Sequence, residues 1–111
     1  MVEVPFDLGQ GIEPHPAIVL SSDDAIKMEG GFIGVMLTTS KKFDDEFTFE
    51  IDDRMINKPM RKGYVQARLH LLGFFFVEEV MKNTNYNYKI TNFYFEQLVK
   101  QINRITFNIQ I

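Results

Sequence analysis

The sequence contains no cysteine, no long apolar run and no excess of positive charge. Without cysteine, the chain has neither disulfide bonds nor thiolate metal sites, which is typical of proteins in a reducing cytosol. No apolar segment approaches the roughly 18 residues of a membrane helix, and the first residues do not have the pattern of a secretory signal. A net charge of −3 gives no overall attraction to nucleic acid, so binding of that kind would depend on a local patch. We expect a cytoplasmic protein that does not act at a membrane.

The length of 111 residues predicts a single domain, residues 1–111, with one hydrophobic core. Apolar residues make up 45% of the chain and charged residues 24%, an ordinary balance for a globular protein. Eleven phenylalanines and four tyrosines supply more aromatic surface than so small a core readily hides. We therefore expect part of this aromatic surface to form an interface.

Two apolar runs of strand length each end in small hydroxyl residues. The first covers residues 15–21 (HPAIVLS) and the second residues 34–40 (GVMLTTS). Valine and isoleucine have stiff side chains that suit a pleated sheet, so both runs predict buried strands with hydroxyl groups just past their ends. The sequence predicts a reactive site where His15, at the start of the first run, meets Thr38, at the end of the second.

The remaining pattern predicts further strands and one long helix. Residues 1–6 and 47–51 alternate like edge or half-exposed strands, and residues 64–72 continue the alternation towards a bulge or bend at Gly73. Residues 23–28 predict a helical turn or two, and residues from 91 or 92 to about 106 carry an apolar stripe at helical spacing. Strands dominate, which predicts a mainly β fold with helices, built as a small, partly closed β-barrel or coiled sheet.

The chain has a single basic concentration, residues 54–68, with Arg61 and Lys62 near its centre and no acidic residue. Tyr64 lies inside it, and the combination of cations with an aromatic ring suits single-stranded RNA. A solvated loop leading into a strand explains the same residues equally well. The adjacent pair Asp52 and Asp53 favours a solvated turn over a metal site, because neighbouring carboxylates point apart on most backbones.

The order of these features resembles the MazF/PemK toxin family. In that family an Arg-Pro strand ending in serine is followed by a strand that ends in threonine, then by a glutamine–aliphatic–basic motif and a closing amphipathic helix. The matching segments in this chain, in the same order, are residues 15–21, 37–40, 66–68 and 95–103. Each motif alone is weak, whereas their order spans nearly the whole chain.

The resemblance implies an SH3-like coiled β-barrel and a homodimeric endoribonuclease toxin that needs no metal or other cofactor. Such enzymes cut single-stranded RNA by attack of the 2′-OH on its own phosphate, which leaves a 2′,3′-cyclic phosphate and a 5′-OH. A cognate antitoxin blocks the RNA groove. The resemblance assigns catalysis to His15 and Thr38, and it assigns substrate binding to Thr39, Ser40, Arg61, Lys62, Gln66 and Arg68.

One departure from the family affects the site directly, because His15 stands where the family has arginine. Arginine is always charged, whereas a histidine can give or take a proton near neutral pH. His15 is therefore either an acid–base group in its own right or the mark of a site that has lost its chemistry. In the second case the chain is a catalytically degenerate MazF/CcdB-like domain that binds protein or nucleic acid. A purely structural role in a phage or mobile element is a third reading.

Overall fold

The computed structural model describes residues 2–7, 11–38, 44–58, 64–80 and 88–109. These contain five strands and two α-helices. Their bounds are β1 Val2–Asp7, β2 Ile12–Val19, α1 Asp23–Glu29, β3 Gly31–Thr38, β4 Thr48–Asp52, β5 Tyr64–Phe76 and α2 Asn92–Gln101. Short 3₁₀ turns cover Asp53–Met55 and Val77–Glu79, and a π-helical segment, Ile102–Thr106, continues α2.

The five strands form one antiparallel sheet in the order β1-β2-β3-β5-β4. The alternating first segment lies at one edge as β1, as predicted, and β4 forms the other edge. Among the described residues no pairing joins β1 to β4, so closure of the sheet into a barrel stays a prediction. The prediction of a mainly β fold with helices is confirmed.

One face of the sheet packs against α2 and its π-helical continuation. The fully buried Leu98 of α2 and the buried Ile102 meet apolar residues that β2, β3, β4 and β5 direct to this side. The strand members of this cluster are Ile18, Val35, Leu37, Ile51, Val65, Ala67 and Leu69. Since side chains alternate between faces along a strand, the residues between these point to the opposite side of the sheet.

The opposite face is divided into an apolar part and a polar part. Val4, Ala17, Phe32, Met36 and Phe75 form a second buried cluster, against which Ile26 of α1 packs. Towards the β4 edge the same face carries polar side chains instead. Because α1 packs on the apolar part, we take the polar half of this face as the candidate site.

The pairing of β3 with β5 is irregular at one point. Val35 pairs with Leu72 and Leu37 with Ala67, so two steps along β3 (37 − 35) correspond to five along β5 (72 − 67). The extra residues of β5 lie between these partners, which is a bulge in the long strand. Gly73 pairs in register with Gly34. The predicted bulge is therefore present, but its prediction at Gly73 was wrong by a few residues.

Both predicted helices are confirmed. The Ser22 hydroxyl accepts a hydrogen bond from the backbone N–H of Ala25 at the start of α1, and Gly30 ends the helix in a left-handed conformation with φ 69°. The C-terminal helix begins at Asn92, and its helical segment ends at Thr106, as predicted. No helix in the described part of the chain has the length and hydropathy needed to cross a membrane.

Candidate functional site

A row of polar residues crosses three adjacent strands on the face of the sheet opposite α2. Thr38 of β3 pairs with Gln66 of β5, and Gln66 pairs with Glu50 of β4. Directly opposed residues of antiparallel strands project to the same side of a sheet. Val65 and Ala67, which flank Gln66 in the sequence, belong to the cluster under α2. The row therefore faces away from that helix. We call Thr38, Gln66 and Glu50 the polar row.

His15 lies on the same face at the head of this row. Strand β2 pairs with β3 through Ala17 and Met36, Ile18 and Val35, and Val19 and Gly34, so that paired residue numbers sum to 53. The pairing ends at Ala17 and Met36, two residues short of His15 and Thr38, and alternation along each strand places His15 on the face of Ala17 and Thr38 on the face of Met36, which is the same face. His15 itself pairs with Val4 of β1, which belongs to the apolar cluster on this face. Both His15 and Thr38 are half-buried.

Gln66 is the buried centre of the polar row. It is 1% exposed, and its Nε2 donates a hydrogen bond to Oε1 of Glu50 at 3.4 Å. Glu50 is exposed to solvent. The row therefore passes from a half-buried hydroxyl, through a buried amide, to a carboxylate that water and ligands can reach.

Arg68, two residues along β5 from Gln66, is held by its own protein. Its side chain is 7% exposed and makes a bidentate ion pair with Asp45, with NH1 to Oδ1 at 2.9 Å and NH2 to Oδ2 at 3.1 Å. NH1 also donates to Oγ1 of Thr48 at 2.7 Å. The hydrogen bond from Arg68 lowers the pKa of Asp45 from 3.8 to about 2. The guanidinium of Arg68, which was predicted to bind substrate, thus already binds a carboxylate.

Two other cations of the basic stretch also have partners within the chain. Arg54 makes a bidentate contact with Asp52, 2.9 Å from NH2 to Oδ2, and holds the pKa of that carboxyl below its usual value. The ammonium of Lys58 lies 4.9 Å from the centre of the Tyr88 ring. Asp52 also caps the 3₁₀ turn that begins at Asp53, which agrees with the predicted turn.

Four of the residues predicted to bind substrate, Thr39, Ser40, Arg61 and Lys62, lie outside the described residues. The structure therefore brings His15, Thr38 and Gln66 onto one face and places Arg68 beside them in an ion pair. The other histidine, His70, is exposed and packs on Phe47 with ring centres 4.7 Å apart.

Sequence reasoning missed Glu50 as a member of the site. The alternation of residues 47–51 assigned it to the polar side of a half-exposed strand, which is where the structure has it. The missing information was the partner strand, since only the pairing with Gln66 brings Glu50 into line with Thr38. Within the described ranges no group of three histidine or acidic side chains could hold a metal ion.

Comparison with known proteins identifies the fold through structure alone. No model of a known protein family matches the sequence, and no curated protein sequence matches it. Among solved structures, a mycobacterial endoribonuclease in complex with its cognate antitoxin superposes with a TM-score of 0.62 at 14% identity, covering 99% of this chain and 94% of that one. The match is consistent with the predicted resemblance to MazF/PemK toxins, and it establishes that this chain has the fold of that endoribonuclease.

Proposed function

We propose that the chain is a MazF-like endoribonuclease toxin that cleaves single-stranded RNA without a metal ion. The observation that carries the proposal is the arrangement of His15 and the polar row across one face of a sheet whose fold matches a known endoribonuclease. The order of sequence motifs that resembles MazF/PemK toxins supports the proposal as well, because it assigns catalysis to His15 and Thr38. The proposal includes the coiled, SH3-like closure of the sheet that is typical of these toxins.

The chemistry needs a group that moves a proton and a donor for the charged phosphorane. An imidazole performs the first task near neutral pH, and His15 is placed for it at the head of the row. Thr38 carries a hydroxyl that can donate to a phosphate oxygen as negative charge develops. In this proposal the 2′-OH attacks its own phosphorus, and the products are a 2′,3′-cyclic phosphate and a 5′-OH.

Partners follow from the same proposal. The matched endoribonuclease is in complex with its cognate antitoxin, and we propose a homodimer regulated by an antitoxin for this chain as well. Exposed aromatic side chains, among them Phe74 at 51% and Phe93 at 61% exposure, provide apolar surface for such contacts.

A second function has one observation in its favour, the ion pair of Arg68 with Asp45. A guanidinium already neutralised by a carboxylate attracts phosphate less strongly than a cation facing solvent. A domain of this fold that binds a protein partner and does not cleave RNA would not need a solvent-facing cation to bind phosphate. Intact RNA after incubation with the pure protein, together with capture of a folded protein partner, would support this alternative.

The test is a digestion of single-stranded RNA by the pure protein in the presence of a chelator. The wild type should produce 5′-OH ends and cyclic phosphates, and His15→Ala should slow cleavage by about 100-fold or more. His70→Ala is the matched control, because His70 is the only other histidine of the chain and lies on the surface. Equal loss in both variants, or no cleavage by the wild type, would contradict the proposal.

A further inference from the structure

Glu50 differs from Asp45 and Asp52, two nearby carboxylates that form ion pairs. Asp45 is neutralised by Arg68, and Asp52 is neutralised by Arg54. The only contact the structure gives Glu50 within the described ranges is the hydrogen bond from Gln66, which is neutral. Glu50 is therefore a carboxylate at an exposed position that has no ion pair among the described residues, whereas Asp45 and Asp52 are each bound to an arginine.

The position of Glu50 in the sheet is fixed by the pairing of Gln66 with both neighbouring strands. Gln66 pairs with Thr38 on β3 and with Glu50 on β4. Neighbouring strands lie about 4.8 Å apart, so the backbone of Glu50 is about 10 Å from that of Thr38. Gln66, which is 1% exposed, lies between Glu50 and Thr38 in the sheet. Its side-chain amide donates a hydrogen bond to the Glu50 carboxylate and directs it towards the row.

We propose that Glu50 is the proton acceptor of the ribonuclease reaction and that Gln66 is the residue that positions it. The inference rests on the proposed function and adds to it a second catalytic group at the opposite end of the row from His15. In this arrangement a phosphodiester binds over Thr38, with the side chains of Glu50 and His15 on either side of it.

The step balances without any cofactor. Glu50 takes the proton of the 2′-OH, and the freed electron pair of that oxygen forms the bond to phosphorus. The bond from phosphorus to the 5′ oxygen breaks, and this oxygen takes a proton from the imidazolium of His15. The carboxylic acid and the neutral imidazole then exchange protons with water. An acid and a base at separate ends of the row are what a displacement with opposed entering and leaving oxygens requires.

The charged groups around Glu50 support its role as a base. On β5 the nearest cation is Arg68, whose charge is compensated by Asp45. On β4 the next ionisable group is Asp52, which is bound to Arg54. Since both nearby cations are bound to carboxylates, no ion pair within the described ranges occupies Glu50, and it stays available to accept a proton.

The test compares Glu50→Gln with the wild type in cleavage and in binding. Glutamine keeps the shape and a hydrogen-bonding oxygen for Gln66, so the fold should persist, while kcat should fall about 100-fold or more. Binding of an uncleavable 2′-deoxy analogue of the same RNA should stay equal or become tighter, because a negative charge is removed. The acidic limb of the rate–pH profile should disappear in Glu50→Gln, and Glu50→Asp should restore part of the rate.

Glu46→Gln is the matched control, since it removes the same charge from an exposed turn residue four positions away. It should cleave like the wild type. Cleavage by Glu50→Gln at the wild-type rate, or an equal loss in Glu46→Gln, would overturn the role of Glu50 while leaving the ribonuclease proposal standing. Absence of cleavage by the wild type would instead overturn both.

Discussion

Replacing Leu98 of α2 by alanine should destabilise the fold, because this side chain packs α2 on the sheet. Leu98 is fully buried, and it is the buried residue of α2 itself. Leu98→Ala removes three buried carbon atoms, about 2.4 kcal/mol at about 0.8 kcal/mol for each. The cavity that remains raises the total to about 3–4 kcal/mol. For a domain of this size that corresponds to a fall in Tm of about 12–16 °C.

The assay is thermal and urea unfolding followed by circular dichroism. Lys100→Ala is the control, because Lys100 is exposed on the same helix and its replacement should change stability by no more than about 0.5 kcal/mol. Leu98 also lies on the face opposite the polar row. Its truncation should therefore leave RNA cleavage per folded molecule unchanged at a temperature where the variant is folded. A loss below 1 kcal/mol, equal to the control, would refute the described packing of α2.

Three further predictions concern the sheet and its ion pair. Gly31→Ala should cost about 1–3 kcal/mol, because an added Cβ would lie 2.7 Å from the backbone oxygen of Phe75, whereas Gly34→Ala, with its nearest neighbour at 3.4 Å, should cost less in the same unfolding assay. Asp45→Ala should lower Tm more than Arg68→Met, because it leaves the Arg68 guanidinium, which is 7% exposed, without this counterion. Arg68→Met leaves the Asp45 carboxylate, which is 45% exposed and can be hydrated. Equal losses of Tm in the two variants would contradict this difference. The pKa of Asp45 is lowered from 3.8 to about 2. Its ion pair therefore stabilises the fold above pH 3.8 and loses this effect as the pH falls towards 2. Between these pH values the unfolding free energy of Asp45→Asn should vary less with pH than that of the wild type.

The helices could be predicted from the sequence because their signals are local. Thr91 or Asn92 marked the start of the C-terminal helix, and the apolar stripe with Leu98 and Ile102 at its centre predicted its extent. Ser22 and Gly30 likewise marked the two ends of α1. The π-helical geometry of Ile102–Thr106 has no such local signal.

The bulge in β5 shows where local reasoning stops. Alternation correctly assigned Val65, Ala67 and Leu69 to the core, and all three are buried. A bulge, however, is a property of two paired strands, and the pattern of one strand does not show which residues have no partner. Glycine at position 73 suggested the wrong place for this reason.

The candidate site was predictable only in part. His15 and Thr38 stood out because each lies at the end of an apolar run, and the register sets them on one face. The burial of Gln66 and the pairing of Arg68 with Asp45 depend on contacts 16 and 23 residues apart in sequence. Glu50 depends on its pairing across the sheet in the same way, which is why its sequence neighbours Phe49 and Ile51 gave no sign of its place in the site.

The most direct test of the account is to map where RNA binds. Backbone amide shifts of the isotopically labelled protein should be recorded during titration with an uncleavable 2′-deoxy analogue of a single-stranded RNA substrate. The account predicts that the shifts concentrate at His15, Thr38, Gln66 and Glu50 and are small along α2. Shifts centred on α2 and its π-helical continuation, with the polar row unaffected, would contradict the claim that this face of the sheet is the RNA-cleaving site.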